Sequence, residues 1–172
     1  MLCAVDVVWG VTQLDNIVYA VFQDSSVISM YTADTLSPVG NIHVKGMRNP
    51  NDIVVCRDDR QLYVADSPSC LWRVSADDHS YVNWLSTKST ANTFHVDTLS
   101  VTSRRLLVTS LDRPRIHQYS ATDKQLLRVI SLAEYVVRLG HSAETTHGTF
   151  VVSHRGTSQD ERQCAVSDPF EF

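Results

Sequence analysis

Residues 50–74 read Pro-Asn-Asp-Ile-Val-Val-Cys-Arg-Asp-Asp-Arg-Gln-Leu-Tyr-Val-Ala-Asp-Ser-Pro-Ser-Cys-Leu-Trp-Arg-Val. The stretch divides into three short runs. An apolar run at 53–56 meets a charged turn at 57–60, a second run follows at 61–65, and a third at 70–74 comes after a Ser-Pro turn. Each run is too short for a typical helix and rich in β-branched or aromatic residues, which is the pattern of strands.

Variants of this unit recur along the chain. Tyr19, Tyr63, Leu107 and Phe150 hold matching places in the second run, at steps of 44, 44 and 43. Ile28, Leu71 and Ile116 match in the third run, and Asp34, Asp77 and Asp123 in the turn after it. A steady period near 44 filled with four short strands is the signature of β-propeller blades. A β-sandwich has no reason to repeat at one fixed period. The expectation is therefore an all-β fold and a single domain over 1–172, a β-propeller of about four blades. The units fall at about 9–44, 45–86, 87–132 and 133–172. Residues 1–8 read as a strand of a neighbouring or closing blade, and residues 132–139 as an inter-blade linker. The fourth unit stops where a last strand would come, so the expected ring is open or partial. An open arc leaves apolar blade faces and strand edges uncovered, which favours self-association.

At 172 residues the chain can bury a real core, and 43% hydrophobic with 20% charged residues is ordinary for a globular protein. Its net charge of −4 argues against a nucleic-acid or anionic-membrane partner. No apolar run approaches the roughly 18 residues of a membrane span, and the first residues lack a signal-peptide pattern. Cys3, Cys56, Cys70 and Cys164 show no disulfide spacing and read as free thiols. With no Asn-x-Ser/Thr site, this leans towards a cytoplasmic setting.

The text Asp52-Ile53-Val54-Val55, then Leu62-Tyr63-Val64-Ala65-Asp66, then Leu71-Trp72-Arg73-Val74 resembles an NHL-type β-propeller blade. The other units fit by period and apolar pattern; Val108-Thr109-Ser110 and Val152-Ser153-His154 replace Val-Ala-Asp, and no unit ends in Trp-Asp. The resemblance implies a rigid ring, usually of six blades, that presents loops for protein recognition. Related gluconolactonase-like propellers imply a further reading, a calcium-dependent lactonase whose channel acids would correspond to Asn51, Asp52, Asp66, Asp97 and Glu144. Some NHL propellers bind RNA through a basic face, a role open here to Lys45, Arg48, Arg57, Arg60, Arg104, Arg105, Arg113, Arg115 and Arg155.

No nucleophile, Walker or dinucleotide motif is present, and no cofactor is expected. The leading expectation is a non-catalytic scaffold that binds a protein partner through loops after the second strands. Asp66, Ser67, Ser69, Asp112, Arg113, His154 and Arg155 are the candidate binding-loop residues, all on one face. One metal geometry also suggests itself. If His147-Gly148 forms a two-residue turn, Thr146 pairs with Thr149 and His141 lies opposite His154, with Glu144 or His95 as a further ligand.

Overall fold

The computed structural model describes residues 7–68, 70–86, 94–110, 112–133, 136–145, 147–155 and 162–167. Among them there is no helix, and the strands form four antiparallel meanders. The first sheet holds β1 (Val8–Leu14), β2 (Ile17–Phe22), β3 (Val27–Thr32) and β4 (Pro38–His43). The second holds β5 (Pro50–Cys56), β6 (Gln61–Asp66), β7 (Cys70–Ser75) and β8 (Tyr81–Ser86). The third holds β9 (Val96–Thr102), β10 (Arg105–Ser110), β11 (Arg115–Ser120) and β12 (Leu126–Ser131). The fourth holds β13 (Val137–Glu144), β14 (Phe150–Arg155) and β15 (Arg162–Ser167). Each sheet is a blade, and the chain is a partial β-propeller.

The innermost strands pack in series, β1 on β5, β5 on β9 and β9 on β13. Three cores lie between successive blades, because alternate residues of a strand point to opposite faces. Tyr19, Val21, Ile28 and Met30 of the first blade meet Ile53, Leu62, Val64, Trp72 and Val74 of the second. Tyr63, Ala65, Leu71 and Trp84 on the second blade's other face meet Leu99, Leu106, Val108 and Tyr119. Leu107 and Ile116 of the third meet Val136, Leu139, Phe150 and Val152 of the fourth. Burying apolar surface at roughly 25 cal/mol per Å² between such faces is the main force that holds the series together.

The structure departs from the sequence reading at three places. Phe150 does not share a face with Tyr19, Tyr63 and Leu107. It packs back on the third blade, as Leu106 packs on the second and Leu62 on the first. The step of 44 from Leu107 leads to Val151, and a slip of one residue in a strand reverses its face. Val8 pairs with Phe22, and the Gln23 amide donates to the Val7 carbonyl at 3.0 Å, so this segment belongs to the first blade itself. The remainder of the expected closing strand, residues 1–6, lies outside the described residues, as do 168–172. The inter-blade link is also shorter than the 132–139 read from the sequence, because β13 already begins at Val137.

Two contacts between blades are unusually close. Gly10 sits where β1 runs against β5, and a Cβ there would lie 2.8 Å from the Ile53 nitrogen and 2.9 Å from the Asp52 Cα. Only hydrogen fits such an approach between two backbones. Between the second and third blades, Trp84 makes an edge contact with Tyr119, and the Tyr63 hydroxyl donates to the Ala121 carbonyl at 3.0 Å. His117 lies on the same face, 5% exposed, stacked on Phe94 with centroids 3.9 Å apart and planes 9° from parallel. Its Nδ1 has no hydrogen-bond partner. Burial, reinforced by Arg115, lowers its pKa to about 4.

Candidate functional site

Loops that follow the second strands share a rim with the links between blades. Asp66 ends β6 and is buried. Its Oδ1 accepts the amides of Arg48 at 3.1 Å and Asn49 at 2.7 Å, and its Oδ2 accepts the Trp72 Nε1–H at 2.9 Å. The Ser67 amide donates to the Asn49 carbonyl at 2.9 Å, and the Val96 amide to the Pro68 carbonyl at 3.0 Å. The His95 amide donates to Asp112 Oδ2 at 3.2 Å, while its Nδ1 stands 2.6 Å from Asp112 Oδ1. Each link is thereby fastened to a neighbouring loop. Arg48, Pro68, His95, Asp112 and Arg113 remain exposed on the resulting rim.

Of the residues singled out from sequence, Asp112, Arg113 and the half-buried Ser67 lie on this rim. Asp66 is beneath it as a hub, with both carboxylate oxygens occupied, so it is a support and not a displayed contact. His154 is likewise buried, at 4% exposure. Arg155 ends β14, opposite Val137 and Arg162 in register. Ser69 lies outside the described residues.

The His141–His154 pair does not form. His154 stands opposite Leu139, a bulge separates Leu139 from Ser142, and Glu144 pairs with Phe150. The Thr145 amide donates to the Thr149 carbonyl at 2.8 Å, so the turn is one residue longer than the two-residue turn expected. His141 is exposed while His154 is buried. The further ligands are engaged elsewhere. Glu144 accepts Arg105 at 3.1 Å, Arg128 at 3.0 Å and Gln118 at 2.8 Å, and His95 holds Asp112. Arg128 also lies 4.6 Å from the centre of the Phe150 ring. Among the described residues, no three His, Cys, Asp or Glu side chains are placed to hold a metal ion.

The bulged inner strands bring Asn51, Asp52, Asp97 and His141 together, while Asp66 and Glu144 lie in other networks. Their local bonds are structural in kind. Asp52 is buried; its Oδ2 accepts the Leu99 amide of the next blade at 2.8 Å, and its Oδ1 accepts the Ile53 amide at 2.8 Å. His141 Nδ1 stands 3.7 Å from Asp52 Oδ2. Burial raises the pKa of Asp52 against the pull of those amides and of His141, and burial likewise raises Asp97 against a hydrogen bond from Asn51. One blade further on, Thr98 Oγ1 donates to the Gly140 carbonyl at 2.6 Å and meets Thr109 Oγ1 at 2.7 Å. No sequence motif marks this threonine tie. Its only trace is that Thr98 occupies the inner-strand place that Asp52 holds one blade earlier.

Four of the arginines considered for RNA, Arg57, Arg60, Arg104 and Arg105, are engaged on the opposite rim. Arg57 donates to the Gln13 carbonyl at 3.0 Å, and Arg60 bridges Asp15 and Asp77, each at 2.7 Å. Arg104, one period after Arg60, reaches back to Asp58 and Asp59 at 3.5 Å. Such exposed pairs add little stability each, but they occupy the guanidinium groups. A groove of about 410 Å³ opens nearby between the second and third blades, lined by Asp59, Arg73, Asp78, Tyr81 and Thr122 among others. Its charges are of both signs, so it selects for no one class of ligand.

No family model and no curated protein matches the sequence. Solved structures match the fold. Hydrazine synthase of Kuenenia stuttgartiensis superposes with a TM-score of 0.71 at 14% identity, over 94% of this chain and 46% of that one. The WD40 domain of Neurospora crassa Pan2 gives 0.66 at 12% identity, over 92% and 47%. The WD40 repeats of RRP9 give 0.65 at 11%, over 87% and 45%. The chain thus spans about half the length of the propellers it matches, and at these identities the likeness is one of fold: the protein is similar to WD40-type and other β-propellers.

Proposed function

We propose that the protein is a non-catalytic propeller scaffold that recognises a protein partner through the rim of Arg48, Pro68, His95, Asp112 and Arg113. The observation that carries this reading is the stitching of that rim. Asp66, the Ser67 and Val96 amides and the His95–Asp112 pair fix adjacent loops to one another. A surface already held in place loses little conformational entropy on binding, so its contacts appear as affinity. We assign the blades to the NHL type on the Leu-Tyr-Val-Ala-Asp text, and place their limits at about 9–44, 45–86, 87–132 and 133–172.

Arg57, Arg60, Arg104 and Arg105 of the set considered for RNA latch neighbouring blades, so protein recognition is preferred. The test is affinity capture from extract, with and without nuclease, by the wild type and by an Arg48→Glu, Arg113→Glu variant. Partners should survive nuclease and be lost in the variant, whose far-UV circular dichroism stays unchanged. Capture of nothing, capture that vanishes with nuclease, or capture unaffected by the variant each overturns the proposal.

A further inference from the structure

The first blade carries a mixed face, apolar at Val8, Val11 and Val18 and polar at Gln13 and Ser29, whose counterpart every other blade buries. In the second blade the cross-strand rows Ile53–Val64–Trp72 and Val55–Leu62–Val74 lie under the first blade. In the third, Leu99–Val108–His117 and Val101–Leu106–Tyr119 lie under the second. In the fourth, Phe150 and Val152 lie under the third. The same register positions in the first blade are Val11–Ala20–Ser29 and Gln13–Val18–Tyr31. No blade covers them among the described residues. Val7, Val8, Trp9 and Val11 are 50–57% exposed in consequence, four large apolar side chains within five residues. Contiguous exposure of this kind marks an interaction surface.

The chemistry of the occupant is set by the three interfaces already made. In each, the complement of this row pattern is the forward face of a preceding blade, built on positions such as Tyr19, Tyr63 and Leu107. One forward face is uncovered among the described residues, that of the fourth blade. Val151 stands one period after Leu107, pairs with Ala143, and both are exposed. The forward face of the fourth blade is therefore the surface of this chain that matches the back face of the first.

We infer that two copies of this chain associate head to tail, the fourth-blade face at Ala143 and Val151 of one covering the first-blade face at Val8, Trp9 and Val11 of the other. The contact is heterologous, so it is repeated to close a ring or extended in a series. It uses none of the rim residues Arg48, Pro68, His95, Asp112 and Arg113, and stands or falls independently of that reading.

Light scattering after size-exclusion chromatography tests it on the wild-type chain. Twice the chain mass of 19.3 kDa, or a longer series, is expected, and a monomer at all concentrations overturns the inference. Val11→Glu alone and Val151→Glu alone should each give monomers that keep the β circular dichroism; the milder Val11→Gln serves if the charged form misfolds. Mixing V11E with V151E restores one intact contact and should return a species of two chains. An assembly that survives both substitutions, or a mixture that stays monomeric, rejects the head-to-tail contact.

Discussion

Acidification from pH 7 to pH 5 should cost the protein about 2 kcal/mol through one side chain, His117. The ring is 5% exposed, stacked on Phe94 and near Tyr119, with no acceptor at Nδ1 and with Arg115 on the same face. Its pKa falls from 6.5 in the unfolded chain to about 4 in the fold. Above pH 6.5 both states are neutral there, and the histidine imposes no penalty. Between 6.5 and 4 the unfolded chain takes up a proton that the native state refuses, so stability falls as the pH falls. The loss reaches about 1.4 kcal/mol per unit and levels off at about 3 kcal/mol below pH 4. Asp52 and Asp97, whose pKa values burial raises, act in the opposite direction. The clean comparison is therefore with His117→Phe, which keeps an aromatic plane against Phe94 and cannot ionise. Urea denaturation at pH 7.5, 6 and 5 should show the wild type losing about 2 kcal/mol more than this variant over the range. Parallel pH profiles, or an NMR titration of native His117 near 6.5, would refute the reasoning.

Three further substitutions probe how the blades are held. Gly10→Ala forces a Cβ against the backbone of Asp52 and Ile53, and thermal unfolding should report a loss of about 1–3 kcal/mol. Asp66→Asn keeps one acceptor for the Arg48 and Asn49 amides but turns an amide N–H₂ towards the Trp72 indole; about 1–3 kcal/mol should be lost, and unchanged stability would deny Asp66 its role as a hub. Tyr63→Phe leaves the Ala121 carbonyl without its phenolic donor in a buried interface and should cost about 1–2 kcal/mol in denaturant titration.

The repeat was legible because each blade must place apolar residues on both faces at fixed strand positions, and Ile28, Leu71 and Ile116 do so. Turn length was not legible. The fourth blade's first turn holds one residue more than the text of His147-Gly148 suggests, and together with the bulge between Leu139 and Ser142 it places His154 away from His141. Phe150 stands a step of 43 from Leu107, one short of the period, and so falls on the other face. The acid at Asp66 looked displayed because it precedes a Ser-Pro loop. Its partners are backbone amides 17 and 18 residues away, which no local pattern announces. The inner-strand polar residues were found as a group, whereas their bonds across blades depend on bulges that sequence does not mark. Arg57, Arg60, Arg104 and Arg105, read as part of a basic surface, are latches between blades, since charge alone does not say which neighbour stands opposite.

Every described sheet is made from one uninterrupted stretch of chain, and none borrows a strand from another. Addition or deletion of a whole unit of about 44 residues therefore leaves each hydrogen-bond ladder complete and alters one interface between neighbours. Growth and shrinkage of this protein over evolutionary time are thus quantised in blades. A cut inside a unit would strand half a ladder, whereas a cut between units would yield a shorter arc with the same internal bonding. The same modularity sets the course of unfolding. Among the described residues the second and third blades are flanked on both faces and the first and fourth on one, so loss of structure should proceed inward, with the Trp84–Tyr119 contact between the second and third blades last to open.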